Sequence, residues 1–509
     1  MSGWKNISAA AITRSDEFMT VSPGKSHYLW VIVFALLALL SAVTARSFWI
    51  DEAVAANFAM VPAFGDWLHT LLAVRSSDLQ MPGYLFWIWG WEKIFGPGEY
   101  AFRMAGFPFL VAGIVAFSWR RPTCTVVCAL SAYTWYYANE ARPYSLQIGL
   151  SLALIGAAKC LLEGQLAPRE EVFWQYILLL SGTLLGMIYM LGMFWVAAYW
   201  AFCFLCIPAF RKSETFKKTR WAWLGAFCLF LAAGCYYLWT LKVGGRASNV
   251  GTTDFRNVIF DFYELLGFGG LGPGRLDVRT NGLSVFMPYL PWLALYGMAL
   301  AVIFVTGIKC LSQKMGSKTV IILLALTLAP AAFILGVGAV RQFRVLGRHL
   351  TPMLPVFLWM LSVGIHSLWQ RRGLIGRAIV MVWAILALAS CLEYRFAERH
   401  ARDDYRSAAT VARIALQEQR IVWWNADIAG AKYYKVSIGN ADEASQPVSG
   451  CAWFLFNPTR SLLEGLPRPD VIIISKPDTY DTPGNVRQYV QTNHYRLAQT
   501  FTAFQIWER

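Results

Sequence analysis

The stretch YLWVIVFALLALLSAVTARSFWIDEA, residues 28–53, decides how the rest of the chain is read. Residues 28–45 carry no charge, and as a helix they would reach about 27 Å, close to the roughly 30 Å hydrocarbon core of a bilayer. Just beyond stand two adjacent carboxylates, Asp51 and Glu52, at the start of a helix-like stretch. The segment therefore predicts a membrane span followed by an acidic pair at the membrane surface. A signal peptide would have a shorter apolar core and a shorter leading region than residues 1–27, so a retained anchor is expected.

The composition extends this reading to the whole chain. Of 509 residues 57% are hydrophobic and 15% charged, against about 45–50% and about 25% in soluble globules. Disordered, collagenous and disulfide-scaffold classes are excluded. Spans are expected at 28–45, 100–119, 122–138, 143–163, 172–190, 191–209, 221–241, 286–309, 318–340, 349–369 and 374–392, eleven in all. Residues 81–96, rich in Trp but short and carrying Glu92 and Lys93, read instead as an interfacial or partly re-entrant helix.

The chain has 45 Lys and Arg against 30 Asp and Glu. Arg120 and Arg121, the cluster Arg211, Lys212, Lys217, Lys218 and Arg220, the group Lys309, Lys314 and Lys318, and Arg371, Arg372 and Arg377 all fall on one side if the N-terminus is cytoplasmic. The surplus is thus loop charge facing anionic lipid, and no basic face for nucleic acid is found. Nine of ten cysteines lie in or beside apolar segments, including the Cys203/Cys206 pair, and read as small apolar filler.

Residues 393–509 change character. Short apolar runs at Ile421–Trp424, Ala452–Phe456 and Val471–Ser475 alternate with helix-like stretches at Tyr405–Gln419 and Asn485–Thr492, and Tyr495–Trp507 reads as one or two strands. A small α/β unit is expected. The fold class is a polytopic α-helical membrane protein: a transmembrane unit over 1–392 with outer loops 46–99 and 242–285, and a C-terminal α/β domain over 393–509 on the extracytoplasmic side.

Three clusters carry the chemistry. Asp51 and Glu52 serve either as a helix cap and its dipole partner or as a general base in a surface site. The run Tyr136-Tyr-Ala-Asn139-Glu140-Ala-Arg142-Pro143-Tyr144 is a polar turn, yet its charges at membrane depth are costly without a purpose. Arg341, Arg344, Arg348 and His349 join two spans on the outer face, where guanidinium groups fork onto phosphate oxygens. The glycine-rich run Gly267–Arg275 in the long outer loop is not a phosphate loop and reads as a flexible turn, or more weakly as a lid. No ligand spacing for a metal is found. No cofactor is predicted, and a divalent metal is left open.

These residues resemble the GT-C class of polytopic glycosyltransferases that use lipid-linked sugars, in the protein O-mannosyltransferase and aminoarabinose transferase branch. The resemblance rests on Trp49-Ile-Asp51-Glu52-Ala53, on Asp78-Leu-Gln-Met-Pro82-Gly-Tyr84 followed by Phe95-Gly-x-Gly-Glu99-Tyr-Ala-Phe-Arg103, on Tyr137-Ala-Asn-Glu140-Ala-Arg142-Pro-Tyr144, and on Arg348-His349-Leu-x-Pro352-x-Leu-Pro355. Gln80-Met81 departs from the family's His-Pro and Gly83 from its leucine. The resemblance implies a polyprenyl-phosphate sugar donor, an envelope acceptor, and transfer on the extracytoplasmic face of the cell membrane. It assigns catalysis to Asp51 and Glu52, donor phosphate binding to Arg142, Arg341, Arg344 and Arg348, and substrate binding to Asp78, Tyr84, Glu140, Tyr144 and His349. Competing readings are a transporter or flippase of lipid-linked saccharides and an O-antigen-ligase-like transferase. Ionisable residues deep at mid-membrane and repeat symmetry would mark the transporter; the spans here are nearly free of charge at their centres.

Overall fold

A computed structural model of the chain describes residues 25–74, 76–163, 166–207, 210, 214–243, 253–440 and 450–509. The N-terminal stretch 1–24, Arg211 and Lys212, and residues 244–252 of the long loop 242–285 lie outside the described residues.

Among the described residues, eight helices are long and apolar enough to cross a membrane: Glu99–Phe117, Tyr144–Glu163, Pro168–Ile188, Glu214–Val243, Arg275–Met315, Ser317–Arg341, Gly347–Gln370 and Gly373–Phe396. Two further expected spans form shorter apolar helices, Leu29–Ala42 and Gly192–Cys206. The chain is a multi-pass membrane protein. The eleventh expected span, 122–138, is corrected: it is a broken pair, Pro122–Ala129 and Ala132–Ala138. Ser131 ends one helix and caps the next, its hydroxyl accepting from the Thr134 N–H at 3.2 Å. Neither piece has the length to span. The irregular backbone that follows is tolerated at this depth because Glu140, Ala141 and Arg142 are buried in protein.

The helix Tyr144–Glu163 is the centre of the bundle, with Tyr144 to Leu161 buried without interruption. Outer helices such as Glu214–Val243 expose apolar side chains along their length, Trp221 and Leu238 among them, as lipid-facing helices do. The Trp-rich segment is a 14-residue helix, Pro82–Phe95, about 21 Å long and too short to span. Its Trp87 and Trp91 indoles donate to the Ala105 and Ala101 carbonyls of the span Glu99–Phe117, and its Trp89 indole to the Val61 carbonyl of the loop before it, which ties the helix to both.

The glycine-rich run is neither a flexible turn nor a lid. Residues Gly269–Leu271 form a buried 3-10 turn against the last span. A Cβ on Gly270 would overlap the Ser390 carbonyl, so only glycine permits that approach. Ser390 completes the seam by donating to the Gly267 carbonyl at 2.7 Å.

The C-terminal unit holds six strands: β1 Val422–Asn425, β2 Ile438–Asn440, β3 Ala452–Phe454, β4 Val471–Ser475, β5 Arg496–Phe501 and β6 Phe504–Glu508. The order is β2-β3-β1-β4-β6-β5; β2, β3, β1 and β4 run parallel, and β6 is antiparallel to both β4 and β5. Alternating side chains feed two cores. Trp424 and Ile473 meet the alanine face (Ala408, Ala409, Ala412, Ala415) of helix Tyr405–Gln417, while Trp423 and Ile472 meet Val486 and Val490 of helix Asn485–Thr492. This unit docks on the loop 46–99 through Tyr434, whose hydroxyl accepts from the Phe48 N–H at 2.7 Å and donates to Glu99 at 3.0 Å. Arg406 pairs with the same carboxylate at 2.6 Å.

Candidate active site

The helix Ile50–Ala59 begins one residue after Trp49, and both acidic residues lie in its first turn. Successive helical residues point about 100° apart, so the adjacent carboxylates face different surroundings. The helix is not capped by Asp51. Glu52 reaches back to the Trp49 N–H at 3.4 Å.

Glu52 faces inward and is fully buried. Arg103, itself 1% exposed, grips it with two parallel bonds, Nε to Oε1 at 2.9 Å and Nη2 to Oε2 at 2.8 Å. The Ala141 N–H donates to Oε1 at 2.8 Å. Arg402, from the start of the C-terminal unit, lies 3.7 Å from Glu52 and 3.1 Å from Glu140. Two carboxylates and two guanidinium groups thus form a closed layer that ties the loop 46–99, the 139–142 turn and the C-terminal unit together. Burial pushes the Glu140 carboxyl above its ordinary value, and Arg402 and Arg348 offset this only in part.

Asp51 sits on the open side of that layer, its side chain 28% exposed. Arg348 Nη1 lies 3.2 Å from its Oδ2. Arg142 Nη1 donates to the Asp51 carbonyl at 3.2 Å and lies 3.5 Å from Asp78. Asp78 is in turn held by the Ser76 hydroxyl at 2.8 Å. Burial alone would raise the Asp51 carboxyl. The charges of Arg142, Arg348 and Lys476 outweigh it and hold the group below the ordinary carboxylate value. Burial likewise opposes the charge on Arg142, but Asp51, Tyr144 and Asp78 overcome it and raise its pKa. Arg348 also lies over the rings of Trp49 and Tyr144 at 5.4 and 5.5 Å.

Buried donors around Asp51 have no acceptor: the Nε groups of Arg142 and Arg348, the Trp49 indole N–H and the Tyr84 hydroxyl. Buried donors are normally paired, so this set has capacity for an anion. His349 closes the turn that carries Arg348, its Nδ1 accepting from the Leu346 N–H at 3.1 Å; any ring proton then resides on Nε2.

The other two arginines of the third cluster do not join Asp51. Arg341 is exposed at the end of its helix. Arg344 lies toward the helix Phe255–Leu265, where its charge acts on Asp261. Burial and the neighbouring Glu264 still push that carboxyl up to about 8.

Sequence reasoning did not single out Arg402 or Lys476 and used Arg103 only as part of a motif. Lys476 follows β4 in a left-handed conformation, pairs with Asp403 at 2.5 Å and adds to the positive field on Asp51. Arg103 had a signal: it is the one charge within the expected span 100–119. Among the described residues, no group of three or more His, Cys, Asp or Glu could hold a metal.

The fold of this chain has counterparts among solved polytopic membrane proteins. Among solved structures the chain is similar to ArnT from Cupriavidus metallidurans bound to undecaprenyl phosphate, with a TM-score of 0.51 and 11% identity over 95% of this chain and 98% of that one. It is equally similar to the apo state of that protein, with a TM-score of 0.51 and 11% identity over 96% and 98%. At this identity the likeness is one of fold. No protein-family model and no curated protein matches the chain.

Proposed function

We propose that the chain is a membrane glycosyltransferase that moves a sugar from a polyprenyl phosphate to a hydroxyl or amine of a cell-envelope acceptor. The observation that carries this reading is the Asp51–Arg348 pair with Arg142 beside it, surrounded by buried donors that lack acceptors. The fold shared with a protein solved with undecaprenyl phosphate supports the donor class.

In this reading the donor phosphate takes the unpaired edges of Arg142 and Arg348. Asp51 accepts the proton of the acceptor group. The acceptor oxygen or nitrogen forms a bond to the anomeric carbon as the bond to the phosphate oxygen breaks, with inversion. Polyprenyl phosphate leaves with that electron pair. The developing charge needs cations rather than a proton, and a well-placed donor contributes about 3–4 kcal/mol in such a site. Once phosphate engages Arg348, Asp51 loses a counter-charge and becomes a stronger base. Donor binding thus prepares the base.

Glu52 and Glu140 act as positioning residues, holding Arg103 and Arg402. Asp78 and Tyr144 hold Arg142 and Arg348, and Tyr84 and His349 face substrate. We further assign 1–392 to the transmembrane unit and 393–509 to an extracytoplasmic domain, with the N-terminus in the cytoplasm of a cell whose inner membrane holds the protein. The test is a lipid extract from cells whose only copy is Asp51→Asn. A polyprenyl-phosphate sugar should accumulate; an unchanged lipid profile with unchanged envelope sugars would reject the proposal.

A further inference from the structure

A second group of cations lies apart from Asp51. A small surface pocket is lined by Arg46, Arg103, Arg395, Arg402, His400 and Asn139 together with aromatic rings, and neither Asp51, Asp78, Arg142 nor Arg348 lines it. Arg103 and Arg402 are neutralised by Glu52 and Glu140 behind them. Arg46 and Arg395 are not: among the described residues, no carboxylate pairs with either. Each side chain makes one hydrogen bond, Arg46 Nη2 to the Arg395 carbonyl at 2.8 Å and Arg395 Nε to the Ser41 carbonyl at 2.9 Å. A guanidinium has five N–H donors, so most of theirs are unused. Asn139 accepts from the Thr44 N–H at 2.8 Å through Oδ1, which leaves its amide donors.

The charges also strain one another. Burial lowers the Arg46 pKa, and Arg395, Arg402 and Arg103 lower it further. His400 is held down to about 4 by burial and by Arg399, so it adds no charge near neutrality. The pocket lies where the helices Lys25–Ala42 and Gly373–Phe396 end, beside Trp135, Tyr136 and Tyr394. Aromatic rings and arginines at the ends of spans mark headgroup depth.

We propose that Arg46 and Arg395, with Arg402 and Asn139, form a second anion site that takes a phosphate group, carried by a lipid headgroup or free in solution. Arg46 and Arg395 fork onto its oxygens, and the phosphate supplies the negative charge that this corner lacks. The site shares Arg402 with the layer behind Asp51, contains none of Asp51, Asp78, Arg142 and Arg348, and does not depend on the reaction proposed above.

The test uses the full-length protein in detergent. Native mass spectrometry reads retained phosphatidylglycerol against uncharged diacylglycerol, and a thermal shift reads inorganic phosphate. Arg46→Gln/Arg395→Gln, which removes both charges and keeps a shorter side-chain donor at each position, should lose about tenfold or more of the binding. Arg46→Lys/Arg395→Lys should restore much of it. Phosphatidylglycerol retained without an effect of inorganic phosphate identifies a lipid source; stabilisation by inorganic phosphate without lipid retention identifies a free one. Phenylglyoxal labelling of the wild-type protein gives a reading that needs no variant: the bound probe should protect Arg46 and Arg395 while exposed Arg341 stays reactive. Equal labelling with and without both probes, or equal binding by the folded glutamine variant, would overturn the site.

Discussion

In Glu52→Gln the side chain keeps its shape and loses its charge at a position that is fully buried. The carboxylate accepts Arg103 twice, at 2.9 and 2.8 Å, and the Ala141 N–H at 2.8 Å. An amide presents one oxygen and one NH2, so at least one of these donors would meet another donor. Arg103, 1% exposed, would remain as a buried cation with its partner gone. Breaking a buried pair from one side costs about 3–5 kcal/mol, against about 5–15 kcal/mol for the stability of a whole domain. Asp51→Asn removes a carboxylate that is 28% exposed, and a partly exposed pair contributes about 1 kcal/mol or less. Thermal unfolding of both variants in one detergent, followed by tryptophan fluorescence, should show a large loss for Glu52→Gln and little change for Asp51→Asn. Adding Arg103→Gln to Glu52→Gln should cost little more than either change alone, because the two residues act as a unit. Glu52→Gln melting with the wild type while losing transfer as completely as Asp51→Asn would refute the reasoning and place Glu52 in the chemistry.

The pH dependence of kcat/KM reports the free protein, where Asp51 is held below the ordinary carboxylate value. Activity should therefore fall only as pH drops through that low value, and Arg348→Gln should move this acid limb up toward about 4; an unmoved limb would separate Arg348 from Asp51. Gly270→Ala forces a methyl against the Ser390 carbonyl and should destabilise the bundle by about 1–3 kcal/mol in the same melting assay. Tyr434→Phe leaves the Phe48 N–H and Glu99 without the hydroxyl they share. It should speed limited proteolysis between residues 396 and 405 without altering the melting of the bundle.

The sequence carried the spans and much of the site because those signals are local. Asp51 and Glu52 adjoin an apolar run, and Glu140 and Arg142 interrupt one. The strands β3 and β4 fall within the short apolar runs at 452–456 and 471–475, and β1 overlaps the run at 421–424. What local reading missed depends on distant partners. Arg402 meets Glu140 from the far end of the chain, and Lys476 reaches the field of Asp51 only because the C-terminal unit docks over it. Adjacent Asp51 and Glu52 looked alike until the helix turned them onto different neighbours. The segment 122–138 misled through composition: its residues are apolar, but Pro122 and Ser131 each start a helix of their own. The glycine run misled for a different reason, since close packing and flexibility call for the same residue.

Transfer by purified protein tests the central claim most directly, using as donor the lipid that accumulates in Asp51→Asn cells. Asp51→Asn should lower the rate by about 10²–10⁴-fold, the range expected for a lost general base. Its affinity for polyprenyl phosphate should be unchanged or higher, because the competing anion beside Arg348 is gone. Wild-type turnover by this variant, or loss of polyprenyl phosphate binding together with activity, would contradict the account.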